Sequence, residues 1–110
     1  MEAALKAIAE PRRRAILHLV WDAERSAGEI ADHFDVTRSA ISQHLRVLRE
    51  ADLVTERRQG THRFYRANPK GLAELRTFLE DFWQASLADL KREAEAEERS
   101  RRARPDHRHP

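Results

Sequence analysis

Apolar side chains in this chain recur at two spacings, three to four residues over most of its length and two residues in one short central stretch. The first spacing predicts amphipathic helices and the second half-buried strands. A first helix is predicted from Glu2 to Glu10, with Leu5, Ile8 and Ala9 on one face. Pro11 suits the first position of a second helix, where its missing N–H costs nothing. That helix runs to about Ala23 and buries Ile16, Leu17 and Val20. Arg12, Arg13 and Arg14 oppose the dipole at its start, which calls for a partner anion or acidic neighbours. Ser26 and Glu29 have capping-box spacing and start a third helix, Ala27 to Phe34, with Ile30, Ala31 and Phe34 inward. Asp35-Val36 is a tight turn, and Thr37 caps a fourth helix from Arg38 to about Ala51. Two short helices joined by such a turn form a helix-turn-helix.

After Asp52 the period becomes that of strands. Leu53–Arg58 and Thr61–Ala67 flank Gln59-Gly60, where glycine accommodates positive φ, so a β-hairpin is predicted. A lone hairpin is marginal in water and must lean on the helices. Asn68-Pro69 caps and opens a last helix that runs to Glu98. Its roughly thirty residues span about 45 Å, against a radius of gyration of roughly 13 Å for a domain of this size. Leu72, Leu75, Phe78, Leu79, Phe82, Trp83, Leu87 and Leu90 make a wide apolar stripe along it. Half of that stripe is expected to meet a second chain. The expected fold is mostly α with a small β-hairpin, one domain over residues 1–98. Residues 99–110, arginine-rich with two prolines and no period, are expected as a basic disordered tail.

A wheel at about 100° per residue divides the fourth helix into two sides. Arg38, Ser39, Ser42, Gln43, Arg46 and Arg49 share an arc of about 140° that holds no acid over residues 38–49. Ala40, Ile41, His44, Leu45, Val47, Leu48 and Ala51 fill the other side and pack on the third helix. Arg38 suits guanine O6 and N7, and Gln43 suits adenine N6 and N7. Ser39 and Ser42 allow close approach to base edges, whereas Arg46 and Arg49, farther along, suit phosphates, as does the capping Thr37. The hairpin carries Arg57, Arg58, His62 and Arg63 about its turn and reads as a wing on the flanking DNA backbone. His44, on the apolar side, reads as a packed, hydrogen-bonded residue rather than a metal ligand.

Charge and composition sharpen this picture. The net charge is only +2, yet residues 37–66 carry seven arginines against three acids, between two acidic stretches. A localised positive field of that kind meets phosphates. The 110 residues include no cysteine, which removes disulfides, thiolate metal sites and thiol redox sensing. No apolar run reaches transmembrane length, so a cytoplasmic protein without a membrane partner is expected. No nucleophile–base set or phosphate-cradling glycine loop is present, so an enzyme is not expected.

In order, the segments Leu5–Leu17, Ser26–Ala31 and Thr37–Val54, then the hairpin ending Phe64-Tyr65-Arg66, resemble the ArsR family of small winged helix-turn-helix repressors. The Ser42-x-His44-Leu45-x-x-Leu48 core followed by Ala51-x-Leu53-Val54 carries most of the specificity. The resemblance implies a homodimer, bridged by the first and last helices, that binds an inverted-repeat operator and blocks transcription, commonly of its own operon. On it, Leu5 and Ile8 join Leu75, Phe78, Leu79, Phe82, Trp83, Leu87 and Leu90 in the dimer interface. The chain departs from the metal-sensing members, with no cysteine in residues 26–36 and no histidine in residues 69–98. It looks most like a metal-independent subgroup. No cofactor is expected, and the residues identify no small-molecule effector, although Phe78, Phe82 and Trp83 leave room for a pocket between subunits. A non-specific architectural DNA binder and a protein-interaction module are the alternative readings.

Overall fold

A computed structural model describes residues 1–103. The elements are α1 (Glu2–Ala9), α2 (Pro11–Leu19), β1 (Arg25–Ser26), α3 (Ala27–Ala31), α4 (Arg38–Glu50), β2 (Val54–Gln59), β3 (His62–Ala67) and α5 (Pro69–Ala103). The chain divides into two compact parts, residues 1–76 and a second that begins at Thr77.

The first part holds the core. Ile16, Leu17 and Val20 of α2 and its end, Ile30 and Ala31 of α3, and Ile41, Leu45 and Leu48 of α4 are all buried. Leu53, Val54, Tyr65 and Leu75 close it. In α1 the buried positions are Ala4 and Ala7, while Leu5 and Ile8 are half-buried against the core and Ala9 is exposed. On the apolar side of α4, Ile41, Leu45 and Leu48 are buried, Ala40, His44 and Ala51 are half-buried, and Val47 is exposed. Leu75, expected in a dimer interface, packs inside the core of its own chain.

Several boundaries differ from the sequence reading. The second helix stops at Leu19 rather than Ala23. The third stops at Ala31, because His33 and Phe34 donate to Ile30 and Ala31 in tighter three-residue turns. The hairpin turn is Gly60-Thr61, with Gly60 at φ +61 and Gln59 still in the ladder opposite His62. A third strand, the two-residue β1, pairs antiparallel with β3 and gives the order β1-β3-β2. α5 continues through Ala103, five residues beyond the expected Glu98, and Arg101 and Arg102 pair with Glu97 and Glu98 one turn earlier. The remainder of the expected tail, residues 104–110, lies outside the described residues.

The caps show how sequence fixes these joints. Ser26 accepts from the Glu29 amide at 3.1 Å and Glu29 accepts from the Ser26 amide at 3.3 Å, which completes the capping box. An acid does meet the start of α2, where the Glu10 carboxylate caps the helix by accepting from the Arg13 backbone N–H at 3.0 Å, while the guanidinium groups of Arg13 and Arg14 turn to backbone carbonyls. Arg13 donates to the carbonyls of Ala7 at 2.8 Å and Lys6 at 3.1 Å, and Arg14 to that of Ile8 at 2.6 Å. These are the unpaired carbonyls at the negative end of α1, so the cations complement one helix dipole while opposing another. Arg13 also lies 3.3 Å from Nδ1 of the half-buried His44, and Arg12 lies over the Phe34 ring at 5.5 Å.

α4 ends in a Schellman turn built on aspartate rather than glycine. Asp52 has φ +61, its amide reaches the Arg49 carbonyl at 3.0 Å, and the Leu53 amide reaches the Leu48 carbonyl at 3.0 Å. Leu48 and Leu53 are both fully buried, the apolar contact that accompanies this motif. The start of α5 closes directly on that turn, and the Asn68 side-chain Nδ2 donates to the Asp52 carbonyl at 2.9 Å. A Cβ on Gly71 would lie 1.7 Å from the same carbonyl oxygen. Gly71→Ala is therefore expected to cost at least about 1–3 kcal/mol, read as a lower midpoint in urea unfolding at unchanged slope. An unshifted midpoint would mean that α5 does not close on the Asp52 turn.

Candidate nucleic-acid interface

Burial of Ile41, Leu45 and Leu48 leaves α4 one free orientation, with the opposite arc outward. Arg38, Ser39, Ser42, Gln43 and Arg46 are exposed, and Arg49 is half-buried. Thr37, also exposed, accepts from the Ala40 amide at 3.1 Å and so caps the helix. Ala27, Ser39, Ser42, Gln43, Arg46, Arg49, Glu56, Arg63 and Tyr65 line one open groove of about 390 Å³ between α4 and the hairpin. The side chains of Arg38 and Gln43 make no hydrogen bond or ion pair with the other described residues. Gly28 leaves space for Arg38, since a Cβ there would lie 2.9 Å from its guanidinium.

Strand alternation splits the basic hairpin residues between two faces. Glu56 opposes Tyr65 and Arg58 opposes Arg63, on the side facing α4. Arg57 opposes Phe64 and Gln59 opposes His62, on the other side. The groove thus gathers Ser39, Ser42, Gln43, Arg46, Arg49 and Arg63, while Arg57 and His62 lie across the hairpin from it.

The arginines also differ in what already holds them. Arg46 pairs with Glu50 at 3.1 Å; this acid ends the outward arc just beyond residue 49, and both side chains are well exposed. Exposed helix pairs of this kind contribute only about 0.3–0.5 kcal/mol, so a phosphate displaces Glu50 cheaply. Arg57 is bound more firmly. It forks onto Glu24 at 2.7 and 3.1 Å and stacks on Phe64 at 4.7 Å. The Arg57 hydrogen bond holds the Glu24 carboxyl below its ordinary value.

Glu56 is the residue that pattern reading missed. Its side chain is only 10% exposed, and it accepts from Arg49 at 2.8 Å, Tyr65 Oη at 3.0 Å and Arg58 at 3.3 Å. One carboxylate therefore ties α4, β2 and β3 together. Burial alone would raise its carboxyl, but hydrogen bonds from Tyr65 and Arg58 and the charges of Arg49 and Arg63 outweigh that and hold it below the ordinary value. Burial and the same carboxylate push the Tyr65 hydroxyl up. The available signal was hairpin register: once Gly60-Thr61 is the turn, Glu56 must share a face with Tyr65.

Among the described residues, no group of three or more histidine, aspartate or glutamate side chains is arranged to hold a metal ion. No helix among them is long and apolar enough to cross a membrane. A family model described as bacterial regulatory protein, arsR family, matches residues 10–56. The HTH-type transcriptional regulator Rv2034 of Mycobacterium tuberculosis is 45% identical over 84 residues, covering 76% of this chain and 78% of that protein. The transcriptional repressor SdpR of Bacillus subtilis is 34% identical over 90 residues, covering 82% of this chain and 100% of that protein. Among solved structures, a homodimeric winged helix-turn-helix DNA-binding domain from Mycobacterium bovis matches with a TM-score of 0.62 at 30% identity, over 76% of this chain and 77% of that one.

A carboxyl depressed in the folded state contributes stability that is present above its unfolded pKa and lost as pH falls through its folded value. The Glu56 contribution should thus be constant from neutral pH down to about pH 5 and fade below about pH 4. Urea unfolding across that range should show Glu56→Gln protein losing less stability in acid than the unsubstituted protein. Parallel losses would mean that Glu56 is not held in its charged form.

Proposed function

Since the chain belongs to the ArsR family of bacterial regulatory proteins, we propose that it is a homodimeric, sequence-specific transcriptional repressor that reads an inverted-repeat operator without a metal ion. The observation that carries this reading is the outward face of α4, unobstructed at Arg38 and Gln43 and bordered by the hairpin. In this reading α4 enters the major groove. Arg38 pairs with a guanine, Gln43 with an adenine, and Ser39 and Ser42 let the backbone approach the base edges. Thr37, Arg46, His62 and Arg63 hold phosphates on either side. Arg49, Arg57 and Arg58, already held by Glu56 and Glu24, serve to fix the wing rather than to contact DNA first.

The dimer rests on α5. Phe78, Leu79, Phe82, Trp83, Leu87 and Leu90 are each between 39% and 61% exposed. An apolar stripe of this width belongs against another surface. A second copy is the reading consistent with the homodimeric M. bovis relative. Leu5 and Ile8 of α1, half-buried, stand as further contributors. A two-fold pair sets its recognition helices about 34 Å apart, one DNA turn, hence the inverted repeat. The absence of cysteine, and of histidine from residues 69–98, supports operation without a metal. Such a regulator works in the cytoplasm, where its DNA is.

Fluorescence anisotropy against an inverted repeat selected from random sequence, at several salt concentrations, tests the reading. Tighter binding than to random duplex, with a steep negative salt slope, is expected. Equal binding would instead favour a non-specific architectural protein. Arg38→Ala should cost about 1–3 kcal/mol at one base pair and relax choice there; equal weakening on every sequence would make Arg38 a phosphate clamp. For the dimer, Phe82→Glu with Trp83→Glu should convert the species seen by light scattering to monomer. A monomer before substitution would mean that the stripe awaits a different chain.

A further inference from the structure

We propose that Glu56 sets the chain's discrimination between operator and other DNA, by withholding Arg49 and Arg58 from phosphate. This rests on the reading of α4 and the hairpin as the DNA-binding surface.

Glu56 lies in the lining of the groove, where a carboxylate repels a polyanion. An acid at such a place weakens binding unless it does something else there. What it does is pair with two neighbouring guanidinium groups, one on α4 and one on the hairpin. Arg49, on α4, is 2.8 Å away, and Arg58, on β2, is 3.3 Å away. Arg46 differs in this respect, because its partner Glu50 is exposed and released to water without penalty. The Glu56 side chain is only 10% exposed with its partners in place, so pulling Arg49 and Arg58 onto phosphates would leave a sheltered carboxylate without its two cations. The pairs therefore persist in the complex, and the two cations add nothing to the counterions released.

Phosphate contacts strengthen binding to every sequence alike, whereas base contacts strengthen only the right one. Keeping two arginines off the backbone lowers the affinity for random DNA while leaving Arg38 and Gln43 to read bases. Through Tyr65 Oη and Arg49 the same carboxylate also holds the hairpin against α4, so the phosphate contacts that remain are made at one fixed spacing from the base-reading side chains. Glu56 is thus a positioning residue that touches no DNA.

The test is the salt dependence of binding to the selected operator and to random duplex, for the unsubstituted dimer and for two variants. Each phosphate contact contributes about 0.9 to the slope of log affinity against log salt. Glu56→Gln keeps the shape and removes the charge. It is expected to steepen the slope by about 1–2 and to tighten random-duplex binding on the order of tenfold at about 0.1 M salt. The operator-to-random ratio should fall accordingly. A residue with a merely structural role would weaken both DNAs and leave the slope unchanged. Arg58→Gln, at an exposed position that does not threaten the core, should leave the slope unchanged in the presence of Glu56 and remove part of the gain in its absence. An unchanged slope for folded Glu56→Gln protein overturns the proposal. So does a slope shallower by about 1 for Arg58→Gln alone, which decides the matter if Glu56→Gln protein does not fold. Unsubstituted protein that fails to prefer its operator would overturn the underlying reading of the surface as well; intact preference with unmoved slopes overturns only this inference.

Discussion

Everything in the first part of the chain depends on α4 being held by one face. Ile41, Leu45 and Leu48 are at most 1% exposed, and burying three such side chains is worth about 1.5–3 kcal/mol each. No exposed ion pair competes with that. Rotating α4 would expose those residues and bury arginines, so the direction of Arg38, Ser39, Ser42 and Gln43 follows from the core. The Schellman turn at Asp52 and the close approach of Gly71 extend the same constraint to the hairpin and the start of α5. The side chains proposed to read bases thus stand on a helix fixed by the core, which is what placement within a fraction of an ångström needs.

A second ordering is electrostatic. A count of basic residues over 37–66 treats seven arginines as equivalent, and the structure divides them. Arg38 has no ion-pair partner among the described residues, Arg46 is weakly paired, Arg57 is forked onto Glu24, and Arg49 and Arg58 converge on one sheltered carboxylate. Their availability to phosphate follows from how exposed each partner acid is, because desolvation sets the cost of releasing it. The positive segment is an organised surface on which acids decide which cations can act.

Much of this was legible in the sequence. Ser26 with Glu29, Thr37, Pro11 and Pro69 carry cap and helix-start signals with a defined geometry, and the elements begin where those signals place them. The inner and outer arcs of α4 followed from period alone, Val47 apart. What escaped was non-local. β1 is two residues long and exists only because β3 lies beside it, so it has no period to detect. The partners of Arg13 and Arg14 are backbone carbonyls of α1, which no side-chain pattern announces. Asp52 in the left-handed region lacks the glycine that marks such turns. Leu75 belongs to the core because α5 begins at the Asp52 turn, a contact between segments distant in sequence. Glu56 needed the hairpin register, because a Gln59-Gly60 turn would set it opposite Arg63 whereas the Gly60-Thr61 turn sets it opposite Tyr65.

The most direct test of the central claim, that the core fixes which face of α4 meets DNA, is nuclear magnetic resonance shift mapping of the labelled protein with a duplex recovered by selection. The account predicts that the largest changes fall on Thr37 to Arg46 and on His62 and Arg63, with Ile41, Leu45 and Leu48 shifting little. A map centred on α1, or large shifts throughout the buried face of α4, would contradict it.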